Sequence, residues 1–160
     1  MRGDGLRTAR FVALFLPLAL IAGALGSQVL GGLVPCEMCH WQRWPHYAAI
    51  IVAACAFAIR HRPTQMLFVL FAAILIAVSG GIGVFHAGVE YHWWPGITPC
   101  STQVAGGDPM EILRQQIGAP IVRCDAAQWD LFGISLAGFN AILSLGGAVL
   151  IFALAVRKPR

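Results

Sequence analysis

Charge is scarce in this chain. Only 11% of its 160 residues are Asp, Glu, Lys or Arg, while 58% are hydrophobic and the mean hydropathy is +0.73. Soluble domains hold about 45 to 50% apolar residues even with glycine counted, so a water-soluble domain is excluded and the natural solvent is lipid. Also missing is any Gly-rich nucleotide fingerprint, which leaves no domain to hold a flavin or nicotinamide. The chain has five cysteines but a single close-spaced pair, and a structural zinc site usually needs two such pairs. The net charge of +4 is no basic patch, because it follows from where the loops fall, and no nucleic-acid partner is inferred from it.

What is present are long apolar runs. A spanning helix needs about 20 largely apolar residues to cross a core roughly 30 Å thick. Residues 11–33, with only Ser27 and Gln28 polar, and residues 66–85 meet that length, and residues 131–156 exceed it. The fourth run, Pro45 to Ile59, covers only about 22 Å at 1.5 Å per residue. It has to borrow Trp41 to Trp44, giving a span of about 41–59 whose first residues lie at the interface. The first run is longer than the roughly 7 to 15 residue core of a cleavable leader and reads as a retained span. The expectation is an all-α integral membrane protein, one domain over 1–160, folded as a four-helix transmembrane bundle.

Basic residues orient it, since short positively charged loops stay on the cytoplasmic side. Arg2, Arg7, Arg10, Arg60, Arg62, Arg157, Lys158 and Arg160 flank the spans on one side, and only Arg43, Arg114 and Arg123 fall on the other. Both termini are therefore expected in the cytoplasm, with outer loops at about 34–43 and 87–130. Cys36 and Cys39 lie in the first outer loop and Cys100 and Cys124 in the second. Cysteines confined to one outer face suit an oxidising compartment. Cys55 lies within a span and reads as a small buried hydrophobe.

Three readings of "PCEMCHWQR" compete: a zinc clip, a redox couple and a structural bridge. A Cys-x-x-Cys ring closes too few residues to restrain much chain, and its spacing is frequent in redox couples with lowered thiol pKa. Arg43, four residues after Cys39, stands one helical turn away, where its charge would favour a thiolate. A snorkelling arginine is the plainer alternative, and Cys100 and Cys124 taken alone could simply staple their loop. Trp41, Trp44 and Tyr47 suit interfacial anchors.

The second outer loop holds its own helix signal in "GGDPMEILRQQIG". Asp108 is the N-cap, Pro109 the first helical residue, Glu111 the capping-box partner and Gly118 the terminator. Met110, Leu113 and Ile117 share a face, which predicts a short interfacial helix. His86 and Glu90 stand one turn apart with His92 nearby, but no second cluster completes a metal site and none is expected. Within the spans, Ser79 with Gly83 and Ala137 with Ala141 are small-xxx-small pairs suited to close helix contact, and Asn140 is expected to hydrogen-bond across helices.

These residues together resemble the bacterial disulfide bond formation protein B family, DsbB. The resemblance rests on the four spans, on "PCEMCHWQR" with arginine four residues after the motif, on Cys100 and Cys124, and on "CDAAQWDLFGISLAG" leading into the last span. It implies an inner-membrane enzyme that reoxidises a thioredoxin-fold DsbA-like partner in the periplasm and passes the electrons to quinone, ubiquinone by preference with menaquinone the alternative. It implies that Cys100 receives the partner's thiolate, that Cys124 is its redox mate, and that Cys36 exchanges with Cys124. Cys39 would then deliver electrons to quinone beside Arg43, and His86 matches a family histidine near that ring. Gln42 departs from members that carry an acid there, and "WWPG" before Cys100 is not universal. Two other readings stand beside it. A vitamin K epoxide reductase-like protein also combines four helices, quinone and two thiol pairs, but its motif thiols sit beside the last helix. A non-catalytic scaffold with structural disulfides is the other.

Overall fold

The computed structural model describes residues 5–98, 108, 110 and 123–157. Among them are four long helices: α1 (Gly5–Val29), α2 (Glu37–Ala58), α3 (Arg62–Glu90) and α4 (Leu136–Val156). A two-stranded antiparallel hairpin, β1 (Asp130–Leu131) and β2 (Ile134–Ser135), precedes α4. Of the expected interfacial helix only Asp108 and Met110 are described; the rest lies outside the described residues.

Helices α1, α3 and α4 are long and apolar enough to cross a membrane. Helix α2 is 22 residues long, about 33 Å at 1.5 Å per residue, but its first half carries Glu37, His40, Gln42, Arg43 and His46. It starts earlier than the apolar run suggests because Cys36 serves as its N-cap, the sulfur accepting the Cys39 backbone N–H at 3.3 Å. Helix α3 runs beyond both ends of its apolar run, with Pro63 in its first turn where a missing N–H costs nothing. Its 29 residues reach about 43 Å, so the last turns, with His86 and Glu90, reach the edge of a hydrocarbon layer roughly 30 Å thick.

One expected boundary is corrected. Residues 131–135 do not begin the last helix. Phe132 and Gly133 both have positive φ, 55° and 76°, as the two-residue turn of a tight hairpin requires, and Ser135 then caps α4 by accepting the Gly138 N–H at 3.1 Å. Tyr91 fastens this hairpin to the end of α3: its hydroxyl donates to the Gly133 carbonyl at 3.0 Å and accepts the Ser135 N–H at 2.9 Å.

The bundle interior is built from small residues. Ala9, Ala13, Ala49, Ala53, Ala56, Ala72, Ala73, Ala148 and Ala155 dominate the main core, while Phe15, Ile51, Leu67, Phe71, Ile74, Val149 and Phe152 point outward. Small seams and a greasy exterior are what helices adopt when lipid covers the outside and van der Waals packing must hold the inside. Cys55 corrects the expectation of burial. Helical periodicity turns Ala53 and Ala56 inward, leaving Cys55 on the exposed face of α2.

The two small-xxx-small pairs meet between α3 and α4. A Cβ at Gly83 would lie 3.0 Å from the Ala137 carbonyl oxygen and 3.1 Å from Ala141 N, both backbone atoms that cannot swing aside. Gly83→Leu is therefore expected to cost about 1 to 3 kcal/mol, read as a lower thermal midpoint in detergent; an unchanged midpoint would mean the helices are not in close contact there.

Candidate functional site

The start of α2, the last turns of α3 and the segment from Arg123 to Gln128 converge at one end of the bundle. Cys36 is almost fully buried, and the sulfurs of Cys36 and Cys39 lie 2.9 Å apart. From that separation a disulfide can close with little backbone movement. Cys124 is buried in the same cluster as Cys36, Met38 and Val89, with Cys39, Trp41 and Phe85 packed against it. The structure thus gathers Cys36, Cys39 and Cys124. Cys100 lies outside the described residues.

The two motif thiols stand in different electrostatic states. Cys36 is pushed up, chiefly by its hydrogen bond to Cys39 and then by burial. Cys39, in the first turn of α2 ahead of the apolar run, is pushed down, chiefly because the Cys36 S–H donates to it, with burial opposing. Of the two sulfurs, Cys39 is the better placed to be the thiolate. Arg43 contributes to that lowering, but it is the last of the causes. Its guanidinium donates to Gln28 Oε1 at 3.0 Å and to the Ala24 carbonyl at 3.4 Å, tying α2 to α1.

His86 places its Nε2 3.5 Å from the Cys36 sulfur and 3.7 Å from Glu90 Oε1. Ser135 Oγ donates to the other Glu90 oxygen. Behind the ring a buried polar network crosses α2, α3 and α4. Gln42 Nε2 meets His86 Nδ1 at 2.7 Å, Asn140 Nδ2 donates to Gln42 Oε1 at 2.8 Å, and Asn140 Oδ1 meets His46 Nε2 at 3.0 Å. Ser79 and Ser144 complete it. Asn140 does hydrogen-bond across helices as its position in a span suggested.

Gln128 joins the outer segments. Its side-chain amide accepts the Val34 N–H at 3.1 Å and donates to the Val34 carbonyl at 2.6 Å, a two-point clamp two residues from Cys36 and four from Cys124. Arg123 donates twice to the carboxylate of Asp125, at 2.8 and 2.7 Å, which holds that acid at about 2. Sequence reasoning named Gln42 only as a departure from the family pattern and missed His46 and Gln128 as site residues. His46 carried a usable signal, because an ionisable side chain inside a span is a functional candidate by default. The Gln128 clamp carried none.

Cys36, Cys39, Arg43 and His86 all face one cavity of about 420 Å³. Its remaining wall is mostly apolar and comes largely from α1 and α4, with Leu16, Leu20, Phe139 and Leu143, and His46 and Asn140 also line it. A thiol pair with one lowered pKa, opening on a greasy cleft and packed beside a third cysteine, can exchange disulfides on one side and meet an apolar reactant on the other.

The family model for disulfide bond formation protein DsbB matches residues 6–154. The chain is 30% identical over 161 residues to disulfide bond formation protein B of Acinetobacter baylyi, covering 94% of this chain and 93% of that one. Similar proteins of the same description occur in Polaromonas sp., at 29% identity covering 88% of each chain, and in Acidovorax sp., at 28% identity covering 89% of this chain and 83% of that one. No solved structure matches the chain.

Proposed function

The chain belongs to the DsbB family and is a multi-pass membrane protein of disulfide bond formation, and from that premise we propose that it is a thiol:quinone oxidoreductase of the bacterial inner membrane. It reoxidises a DsbA-like thioredoxin-fold dithiol protein in the periplasm by disulfide exchange. The electrons leave through Cys39 to a quinone dissolved in the bilayer. In this reading α2 is the fourth span, both termini face the cytoplasm, and the cysteine segments lie in the periplasm.

One observation carries the reading: the Cys36–Cys39 couple sits on the wall of an apolar cavity of about 420 Å³ built largely from membrane helices. Electrons from two thiols need an acceptor, and this cleft suits a lipid-soluble ring. Its polar atoms suit one as well. Arg43 has N–H groups beyond those used on Gln28 and Ala24. His46 Nδ1 is buried with no hydrogen-bond partner among the described residues. Asn140 Oδ1 can only accept, so His46 donates through Nε2 and its Nδ1 is left as an acceptor. Arg43 would thus hold a ring oxygen as donor, and His46 would meet, as acceptor, a hydroxyl of the ring once it is reduced. When bound, the quinone supplies the sink for two electrons and two protons.

A strong sink is necessary. DsbA-type oxidants stand near about −120 mV, and 30 mV corresponds to about 1.4 kcal/mol for two electrons. The test mixes purified protein, a quinone and a reduced DsbA-like partner, and follows quinone absorbance together with partner thiols. One quinone should be reduced for every two thiols lost; no reduction by well-folded protein would overturn the reading. In the same assay Arg43→Ala should raise the apparent KM for quinone by about tenfold, the loss of roughly 1.4 kcal/mol of binding, with the thermal midpoint held. Unchanged kinetics would leave Arg43 with only its tie to α1.

A further inference from the structure

The buried network behind Cys36 has a direction, and that direction determines which imidazole nitrogen of His86 carries the proton. Two backbone carbonyls, which can only accept, orient it. Gln42 Nε2 lies 3.3 Å from the Met38 carbonyl, and Asn140 Nδ2 lies 3.2 Å from the Ser79 carbonyl. The NH₂ groups of both amides must therefore face those oxygens. Gln42 Oε1 then accepts from Asn140 at 2.8 Å, and Gln42 Nε2, as a donor, faces His86 Nδ1 at 2.7 Å. A donor facing Nδ1 requires a lone pair there. The neutral ring consequently bears its proton on Nε2, the nitrogen 3.5 Å from the Cys36 sulfur.

We propose that Gln42 is a positioning residue that holds His86 as the Nε2–H tautomer, so that the imidazole donates to Cys36 and stabilises its thiolate whenever that sulfur is the leaving group. In such an exchange an attacking thiolate forms a new S–S bond with the sulfur joined to Cys36. The old bond breaks, and its electron pair stays on Cys36 as a thiolate. No proton has to move, and a donated N–H lowers the energy of the departing anion on a sulfur that is almost fully buried. The lower the pKa of the leaving thiol, the faster the exchange.

One other acceptor competes for that N–H: Glu90 Oε1 is 3.7 Å from Nε2. Glu90 is in part occupied, since Ser135 donates to its second oxygen. The network also distinguishes this role from metal binding. Ligand atoms of Cys36, Cys39 and His86 lie within 4.8 Å of one another, but a metal on Nε2 calls for an acceptor opposite Nδ1–H. Gln42 offers a donor there. A glutamate at position 42 would reverse the arrangement, because a carboxylate can only accept; it would draw the proton to Nδ1 and turn the Nε2 lone pair toward sulfur.

The inference rests on reading Cys36 as an exchanging cysteine, but its test needs neither quinone nor partner, so its failure and that of the proposed function are separable. Reduced wild-type protein labelled with ¹⁵N-histidine should show His86 protonated on Nε2; protonation on Nδ1 would overturn the proposal whatever any variant does. The second measurement takes a chain in which Cys36 is the sole cysteine and follows its alkylation rate against pH. Gln42→Glu should raise the apparent Cys36 pKa enough to lower the thiolate fraction about tenfold at a given pH below it, one pKa unit. The added charge alone would act equally with or without the imidazole, so the pair is repeated in His86→Phe. A clearly smaller shift in that background supports the proposal; the same shift in both, or none in either, overturns it.

Discussion

Under the proposed function, replacing Cys39 with serine is expected to lower quinone reduction about a thousandfold or more, the scale seen when a reacting group is deleted from a site whose members act as a unit. The fold should hardly notice. Serine is close to isosteric, and the N-cap bond of α2 uses the Cys36 sulfur and the backbone N–H of residue 39, which the substitution keeps. What vanishes is the sulfur 2.9 Å from Cys36, the thiol whose pKa is lowered and which faces the apolar cleft. Quinone absorbance read beside a thermal midpoint separates this from the scaffold reading, in which the same change would lower stability and no electron transfer exists to lose. Substantial turnover by Cys39→Ser would remove Cys39 from the electron path.

The membrane character and the helices were legible because hydropathy is a local property. Runs of 20 apolar residues state their own length. The Ser79/Gly83 and Ala137/Ala141 seams were also legible, since lipid supplies no hydrophobic drive between helices and small residues mark where backbones approach. Ends were less so. Helix α2 begins at Glu37 because a cysteine takes the capping role usually filled by serine or aspartate. Residues Leu131 to Ile134 read as more apolar helix, yet Gly133 and Phe132 adopt positive φ and turn the chain into a hairpin held by Tyr91.

The site was legible in its sulfurs and much less in its supporting polar groups. Cys-x-x-Cys with arginine one turn on is a local pattern, whereas Gln42 to His86, Asn140 to Gln42 and Gln128 to Val34 join residues 44, 98 and 94 positions apart. Such pairings follow from how helices rotate against each other, which one chain's periodicity does not state. Met38, Gln42 and His46 recur every four residues on the buried face of α2, so the stripe itself could be read. That its glutamine is a donor to a histidine on α3 could not.

The burial of two cysteines leads to the second large effect. Cys36 and Cys124 expose only 2% and 9% of their surfaces, and the Gln128 clamp holds their two segments together beside them. Disulfide exchange requires direct attack by one sulfur on another, and a folded partner cannot thread its thiolate into that cluster. Under the proposed function the first attack must therefore fall on Cys100: the partner's thiolate bonds to Cys100, the Cys100–Cys124 bond breaks, and Cys124 leaves as a thiolate beside Cys36. A DsbA-like partner lacking its second cysteine should then be captured as a mixed disulfide by the wild-type chain and by Cys36→Ala, and not at all by Cys100→Ala. Non-reducing electrophoresis reads the three outcomes directly. Capture by Cys100→Ala would mean that the partner reaches Cys124 or Cys36, and the burial of those sulfurs would have to open during the encounter. Retention by Cys36→Ala is equally required, because Cys36 acts only after the partner has bonded, passing on electrons that Cys124 has received.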